Sequence, residues 1–404
     1  MINFSRVAII LPVLFVLSGC ESAVNFSGFS AGYDKAMEKS ANQNLFLNII
    51  RSAYKKPSHF NTVSGVSGTS TLASPSGFLS LPFDQIFSLS RNGAAGSFST
   101  PSFSQTSTVS ISPLNTAEFL AGLLTQIEPS TIEFYASQNV PKELLFLLIV
   151  DKISAVKNGK TEVFINNPTH TSYKKFDEII QGLLEMGLTT ETVVGLSKSG
   201  PVLSRQQAKD PSRISLVVNS GMVLNPVKGS NGEKYQMFVP YKYSRFCFSK
   251  ASKDLSNLPP TMHCGNNSSM QNSQSISLGN GKHKLAKYKG VTLNITTRSS
   301  KGIFDYLGQL AYQQVEKGIE TPVRLVTEEA KKYNYQNTGD AIFVVRKNNT
   351  KNSDVVSVTM NGDSFSIPYE NQGFSSHVLS LAMDMLNLSK TLNSLPPANT
   401  IITN

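Results

Sequence analysis

The sequence predicts an α+β fold: a helical central region, a charge-poor β-hairpin ahead of it and a C-terminal α+β domain behind it. Three observations carry this. Apolar residues recur at helical spacing in several separate stretches, two runs before residue 112 alternate with period two, and helix-like and strand-like stretches succeed each other from residue 290 onward. With 404 residues, 40% of them apolar, the chain has ample material for a core and for two or three domains.

Residues 1–19 hold Arg6, the apolar run Val7 to Leu17, and then Ser18 and Gly19, the pattern of an export signal ahead of Cys20. A run of about ten apolar residues is too short to cross a ~30 Å hydrocarbon core as a helix. Residues 20–58 read as a tether followed by an amphipathic helix. Leu45, Ile49, Ile50 and Ala53 recur at helical spacing, and Phe46, Leu47 and Tyr54 widen the stripe. Lys55 and Lys56 suit its C-terminus, and Pro57 prevents continuation.

Residues 59–113 form the charge-poor region: between Lys56 and Glu118 only Asp84 and Arg91 carry a full charge. Leu79, Leu81, Phe83, Phe87 and Leu89 share one parity, and Phe103 to Ile111 alternates more weakly through Ser and Thr. Gly93 to Gly96 lies between the two runs, so they are expected to pair as a β-hairpin. The five apolar residues of the first run are the candidate assembly surface. Two strands cannot close a barrel, so insertion into a membrane would demand a ring of subunits, each donating a hairpin. The competing account is pairing with strands of the subunit's own body.

Residues 114–241 read as a mainly helical domain. Leu114 to Ile127, Pro141 to Val156 and Tyr173 to Met186 carry apolar residues at i, i+3, i+4, punctuated by Pro129 and Pro141. Thr192 to Gly195, Ile214 to Val218 and Tyr235 to Val239 look strand-like. Residues 242–289 read as a basic, Asn/Ser-rich insert. In 290–404, the α+β domain, strand Val291 to Thr297 leads into helix Gly302 to Val315. Strands are expected near Val323, Ala341 to Arg346, Val355 to Met360 and Ser364 to Ile367, and a helix from Phe374 to Leu392 closes the domain before Pro396-Pro397.

Cys247 and Cys264 form an even pair once Cys20 is set aside, and the Asn/Ser-rich segment between and after them would otherwise lack order. A disulfide is therefore expected, adding roughly 3 kcal/mol in the chain-entropy model. A metal site from Cys247, His263, Cys264 and His283 is the competing account. It suffers from the adjacent His263-Cys264 spacing and the lack of a paired Cys-x-x-Cys, so neither metal nor cofactor is expected. The formal net charge is +10, and +9 without Arg6 of the export signal, a balance that favours anionic partners. Lys242, Arg245, Lys250 and Lys253 cluster around the first cysteine of the expected bridge, and Lys282, Lys284, Lys287 and Lys289 follow the second. Converging on one face, they are candidates for an anionic contact surface; the alternative is a solvated surface.

No catalytic constellation stands out. Gly65-Val66-Ser67-Gly68 lacks the spacing of a nucleophile elbow. The Ser-x-x-Lys pairs Ser52/Lys55, Ser154/Lys157 and Ser172/Lys175 recur as chance predicts in a Ser- and Lys-rich chain. Five scattered histidines form no His-x-x-x-His pair. A non-enzymatic role is expected.

The segment Leu17-Ser18-Gly19-Cys20 resembles the lipobox of bacterial lipoproteins. That resemblance implies cleavage before Cys20 and fatty acylation (palmitate) of this cysteine, hence attachment to a lipid bilayer. Glu21, where an aspartate would favour inner-membrane retention, implies the periplasmic face of the outer membrane. The stretches Asn44-Leu45-Phe46-Leu47-Asn48-Ile49-Ile50-Arg51 and Arg298-Ser299-Ser300-Lys301-Gly302-Ile303-Phe304-Asp305-Tyr306-Leu307-Gly308 resemble segments of functionally uncharacterised proteobacterial lipoproteins. The expectation is a lipid-anchored structural or assembly subunit of a cell-envelope complex, with envelope proteins as partners, a homo-oligomer as one form, and no nucleic acid. The alternative is a lipid-anchored binding protein for an anionic envelope ligand or protein partner; an envelope hydrolase comes third.

Overall fold

The computed structural model describes residues 26–73, 102–228, 231–249, 255–266, 274–282, 285–334 and 338–390, with backbone alone for 26–33, 63–73, 102–111 and 255. The first half comprises α1 (Phe26–Ala53), β1 (Asn61–Ala73), β2 (Ser102–Pro113), α2 (Ala117–Leu124), α3 (Pro129–Ser137), α4 (Lys142–Ile149), β3 (Val150–Lys157), β4 (Lys160–Ile165) and α5 (Tyr173–Glu185). Then come β5 (Leu188–Ser204), α6 (Arg205–Ala208), α7 (Pro211–Asn219), β6 (Val223–Pro226), β7 (Lys234–Phe248), β8 (Ser275–Ser277) and β9 (Thr292–Thr297). The chain continues through α8 (Ser300–Lys317), α9 (Glu328–Tyr333), β10 (Arg346–Lys347), β11 (Val356–Met360), β12 (Asp363–Ile367) and α10 (Ser375–Leu388). Among the described residues every pairing between these strands is antiparallel, and the fold is α+β.

The chain falls into two compact units. One spans 59–122; the other joins the residues before 59 to those from 123 to 389. The larger unit holds three sheets, ordered β4-β3-β9-β8, β5-β7-β6 and β10-β12-β11. At its centre lies α4, in which every residue from Glu143 to Ile149 is buried. A helix apolar nearly all round has no solvent face, so neighbours must cover it on every side. Three helices contribute one buried stripe each to this unit's core: Leu45, Phe46, Ile49 and Ile50 from α1, Ile303, Phe304, Leu307 and Leu310 from α8, and Val378, Leu381 and Met385 from α10. Each such side chain contributes roughly 1.5–3 kcal/mol by leaving water.

Several sequence expectations are corrected. Helix α1 starts at Phe26, so residues 26–40 are helical where a tether was expected, with 34–40 largely solvent-exposed. Propagation costs little once the buried turns from Leu45 onward are formed, and no proline interrupts. The expected helix from Pro141 to Val156 ends at Ile149, and Val150 begins a strand. The reason is Asn158-Gly159, whose left-handed φ values of 51° and 75° make the tight turn between β3 and β4. Ile214 to Val218 is helical instead of extended, because Asp210 caps the Ser212 amide at 3.0 Å and Pro211 occupies the first turn of α7. Near Val323 there is only an isolated bridge between Arg324 and Ala341, and the strand expected at Ala341 to Arg346 shortens to β10.

The divisions expected at 241/242 and 289/290 do not separate folding units. Strand β7 runs through the first, and β3 of the central region pairs with β9 of the C-terminal region from Val150↔Thr297 to Val156↔Thr292.

Candidate functional site

The smaller unit is a hairpin rising from an apolar foot. Phe60, Leu114 and Phe119 are buried, the two phenylalanine rings meet edge to face at 5.9 Å, and the Leu114 amide donates to the Phe60 carbonyl at 2.8 Å. From this foot β1 and β2 run antiparallel, from Asn61↔Pro113 to Ala73↔Ser102. Phe103 to Ile111 is thus a hairpin strand, as expected, but its partner is 61–73. Leu79, Leu81, Phe83, Phe87 and Leu89, the expected partner strand, lie outside the described residues. Strand β1 escaped notice because its register shifts between Val63 and Gly65. That bulge puts an extra residue between Val63 and Val66 and breaks the period-two signal. In the observed register Val63 stands opposite Ile111, Val66 opposite Val109 and Leu72 opposite Phe103. These positions share one face of the ribbon, whereas Ser67, Thr69 and Thr71 with Thr108, Thr106 and Ser104 hold the other. Neither strand, of 13 and 12 residues, contains a charged side chain.

In the larger unit the bridge is formed: Cys247 and Cys264 are joined, with Cα atoms 5.1 Å apart. Beside it Arg245, only 4% exposed, bonds Glu191 through Nε at 2.8 Å and Nη2 at 2.6 Å. Its remaining donors go to the carbonyls of Thr261, His263 and Asn266 at 3.0, 3.1 and 2.7 Å. Glu191 also accepts from the Gly265 amide at 2.7 Å. Arg245 is therefore a buried clamp on the 261–266 loop, which corrects its place among the anionic contacts. The metal alternative fails here too: both sulfurs are bonded to each other, and the nearby Glu191 carboxylate is occupied. Of the other basic candidates, Lys242 and Lys282 are exposed, Lys289 is half-buried, and Lys287 lies 3.5 Å from Glu178. Lys250, Lys253 and Lys284, like Cys20, lie outside the described residues.

The bridge and the clamp hold the same loop, which gives a measurable expectation. Replacing both cysteines with serine should lower unfolding free energy by about 3 kcal/mol, since the 17-residue separation sets the loop entropy released to the unfolded chain. The Arg245–Glu191 contacts should keep the native loop in place. Urea denaturation of the two forms measures this, and identical midpoints would show that the bridge adds nothing to the clamp.

Nucleophile–base geometry is weak. Ser172 Oγ lies 2.8 Å from His170 Nδ1, but it also accepts from the Ile165 amide at 3.0 Å, and Nδ1 accepts from the Ser172 amide at 3.2 Å. These are the bonds of a closed turn. Ser52 donates to Asp305 at 2.6 Å and Lys175 pairs with Glu162 at 2.6 Å, so two of the Ser-x-x-Lys pairs have a member engaged elsewhere.

The stretches 44–51 and 298–308 meet in space, where α1 packs on α8. A Cβ on Gly308 would sit 2.7 Å from the Ala53 amide nitrogen and 2.9 Å from the Ser52 carbonyl carbon, so only glycine permits this approach. Arg298, just before α8, is only 4% exposed. Its Nη1 donates to the carbonyls of Leu147 and Leu148 at 3.0 and 2.8 Å, and its Nη2 to that of Asn166 at 2.6 Å. The guanidinium lies 3.9 Å from the Tyr306 ring centroid. Burial lowers the Arg298 pKa and pushes that of the Tyr306 hydroxyl up to about 12, so the ring beneath the cation stays neutral. Packing and helix capping account for the residue choices here. Sequence reading found these stretches by resemblance and had no signal for their contact.

Comparisons with protein-family models, with curated proteins and with solved structures give no match.

Proposed function

We propose that this chain is a non-enzymatic lipoprotein, anchored through acylated Cys20 to the periplasmic face of the outer membrane, that serves as an assembly subunit of an envelope complex. The observation that carries the assembly role is the β1–β2 ribbon: two paired strands of 13 and 12 residues, free of charge, with one mostly apolar and one hydroxyl-rich face. At about 3.3 Å per residue such strands exceed the 9–11 residues a membrane-crossing strand needs. Among the described residues the ribbon is two-stranded, and a strand edge without a partner in its own chain is a template for a neighbouring copy. The bridge between Cys247 and Cys264 supports an oxidising compartment. Among the described residues no helix is long and apolar enough to cross a membrane, which is compatible with anchoring through lipid.

The test is a photo-crosslinking residue placed at Thr69 or Thr106 in the full lipidated chain and activated in native membranes. A ladder of covalent multimers of this chain is expected. Adducts confined to the monomer, together with a monodisperse monomer after mild detergent extraction, would retire the assembly role.

A further inference from the structure

We propose that a cleft of about 910 Å³ in the larger unit, between the end of α1, the loop after β4 and one face of α8, binds an acidic saccharide. The wall from α8 is a helical stripe: Lys301, Asp305, Gln309 and Gln313 follow one another at four-residue spacing and therefore share a face. Opposite stand Tyr54, Lys55 and Lys56, where α1 has ended and Lys55 takes a left-handed φ of 54°.

The charge at this cleft is unbalanced. Asp305 is its only acidic lining residue, and it is already taken by the Ser52 hydroxyl and the Lys301 ammonium. Lys55 and Lys56 are exposed at the rim, and among the described residues neither has an ion-pair partner. Two exposed lysines, consecutive in the chain and lining the same cleft with no ion-pair partner among the described residues, supply positive charge for a carboxylate or a phosphate.

The remaining lining selects the rest of the ligand. Gln309 and Gln313 offer amides with both donors and acceptors, matching the alternating hydroxyl and ring oxygens of a sugar. Tyr54 and Tyr312 meet edge to face at 6.4 Å, and the Tyr54 hydroxyl is fixed by Glu316 at 2.5 Å, so the aromatic wall is held in place. Ala53 is the single aliphatic residue in the lining, and the rings of Tyr54 and Tyr312 supply flat apolar surface of the kind that the face of a sugar ring packs against. The volume suits an oligosaccharide of a few rings more than a bare inorganic anion. This site lies apart from the basic segment around the disulfide and is independent of hairpin assembly.

Titration calorimetry on the detergent-extracted full chain tests this with three probes: trigalacturonic acid, glucosamine 6-phosphate and uncharged maltotriose. At least one anionic probe should bind saturably, and at least tenfold tighter than maltotriose. Which one binds tells carboxylated from phosphorylated ligands. The Lys55→Gln/Lys56→Gln pair should weaken binding at least tenfold, and Gln309→Ala/Gln313→Ala several-fold, with unchanged circular dichroism. Lys331→Gln/Lys332→Gln, on exposed α9, should leave affinity unchanged. The proposal is overturned if neither anionic probe binds, if maltotriose binds as well, if the Lys55/Lys56 variant keeps its affinity, or if the α9 variant loses as much.

Discussion

Arg298→Met should lower the unfolding free energy by roughly 3–5 kcal/mol, the range seen when a buried charge network loses one member. Helix α4 ends inside the protein, so its last carbonyls cannot turn to water and must find donors. Arg298 supplies one to Leu147, one to Leu148 and one to Asn166, while the Asn166 amide adds bonds to Leu147 and Val150 at 2.8 and 2.7 Å. The cation also sits at the negative end of the α4 dipole. Methionine would fill the volume and restore none of the donors, leaving the Leu148 carbonyl and the Asn166 carbonyl without these bonds at about 1–3 kcal/mol each. Arg298→Lys should be nearly as damaging, because one ammonium cannot span three carbonyls that a planar fork reaches together. Urea denaturation provides the measurement. A loss under 1 kcal/mol for Arg298→Met would show that water or a shifted backbone serves these carbonyls equally well.

The elements legible in the sequence share one property: their pattern is local. Helices α5, α8 and α10 and strands β9, β11 and β12 announce themselves by period and caps, and each lies within a residue or a few of its expected position. The disulfide followed from cysteine number and from the loop it would have to order. What was missed depends on partners distant in the chain or on a single turn residue. Asn158-Gly159 converts the end of an apolar helix pattern into a strand, and the bulge after Val63 hides β1 from any strict period. Arg245 looked like a surface cation because its neighbours in sequence are Lys242 and Lys250; only the fold brings Glu191 and three loop carbonyls around it. Lys55 and Lys56 of the cleft read in the sequence merely as C-terminal helix charges, since nothing local says that α8 lies opposite.

Glu143 carries the same lesson with an energy attached. In the sequence it only marks the edge of the apolar run Leu144 to Val150, yet it is 1% exposed. Its carboxylate accepts from the Val326 amide at 2.9 and 3.0 Å, from the Thr327 amide at 2.8 Å and from Gln181 Nε2 at 2.7 Å. Those two backbone amides lead into α9, whose first turn Thr327 caps through the Ala330 amide at 3.3 Å. Glu143 thus joins α4, α5 and the start of α9, and its charge lies at the favourable N-terminal end of α4. Glu143→Leu would match the apolar surroundings but strand two backbone donors and one amide, an expected loss of roughly 3–5 kcal/mol. Glu143→Gln should cost less, because one carbonyl oxygen survives, but its amide group would meet donors where an acceptor is needed. Urea denaturation gives the size, and hydrogen exchange gives the place: the Val326 and Thr327 amides should exchange markedly faster in Glu143→Leu, with the β3–β9 ladder protected as before. Unchanged protection at both amides would mean that the α9 entrance is held by its own cap and not by this buried carboxylate.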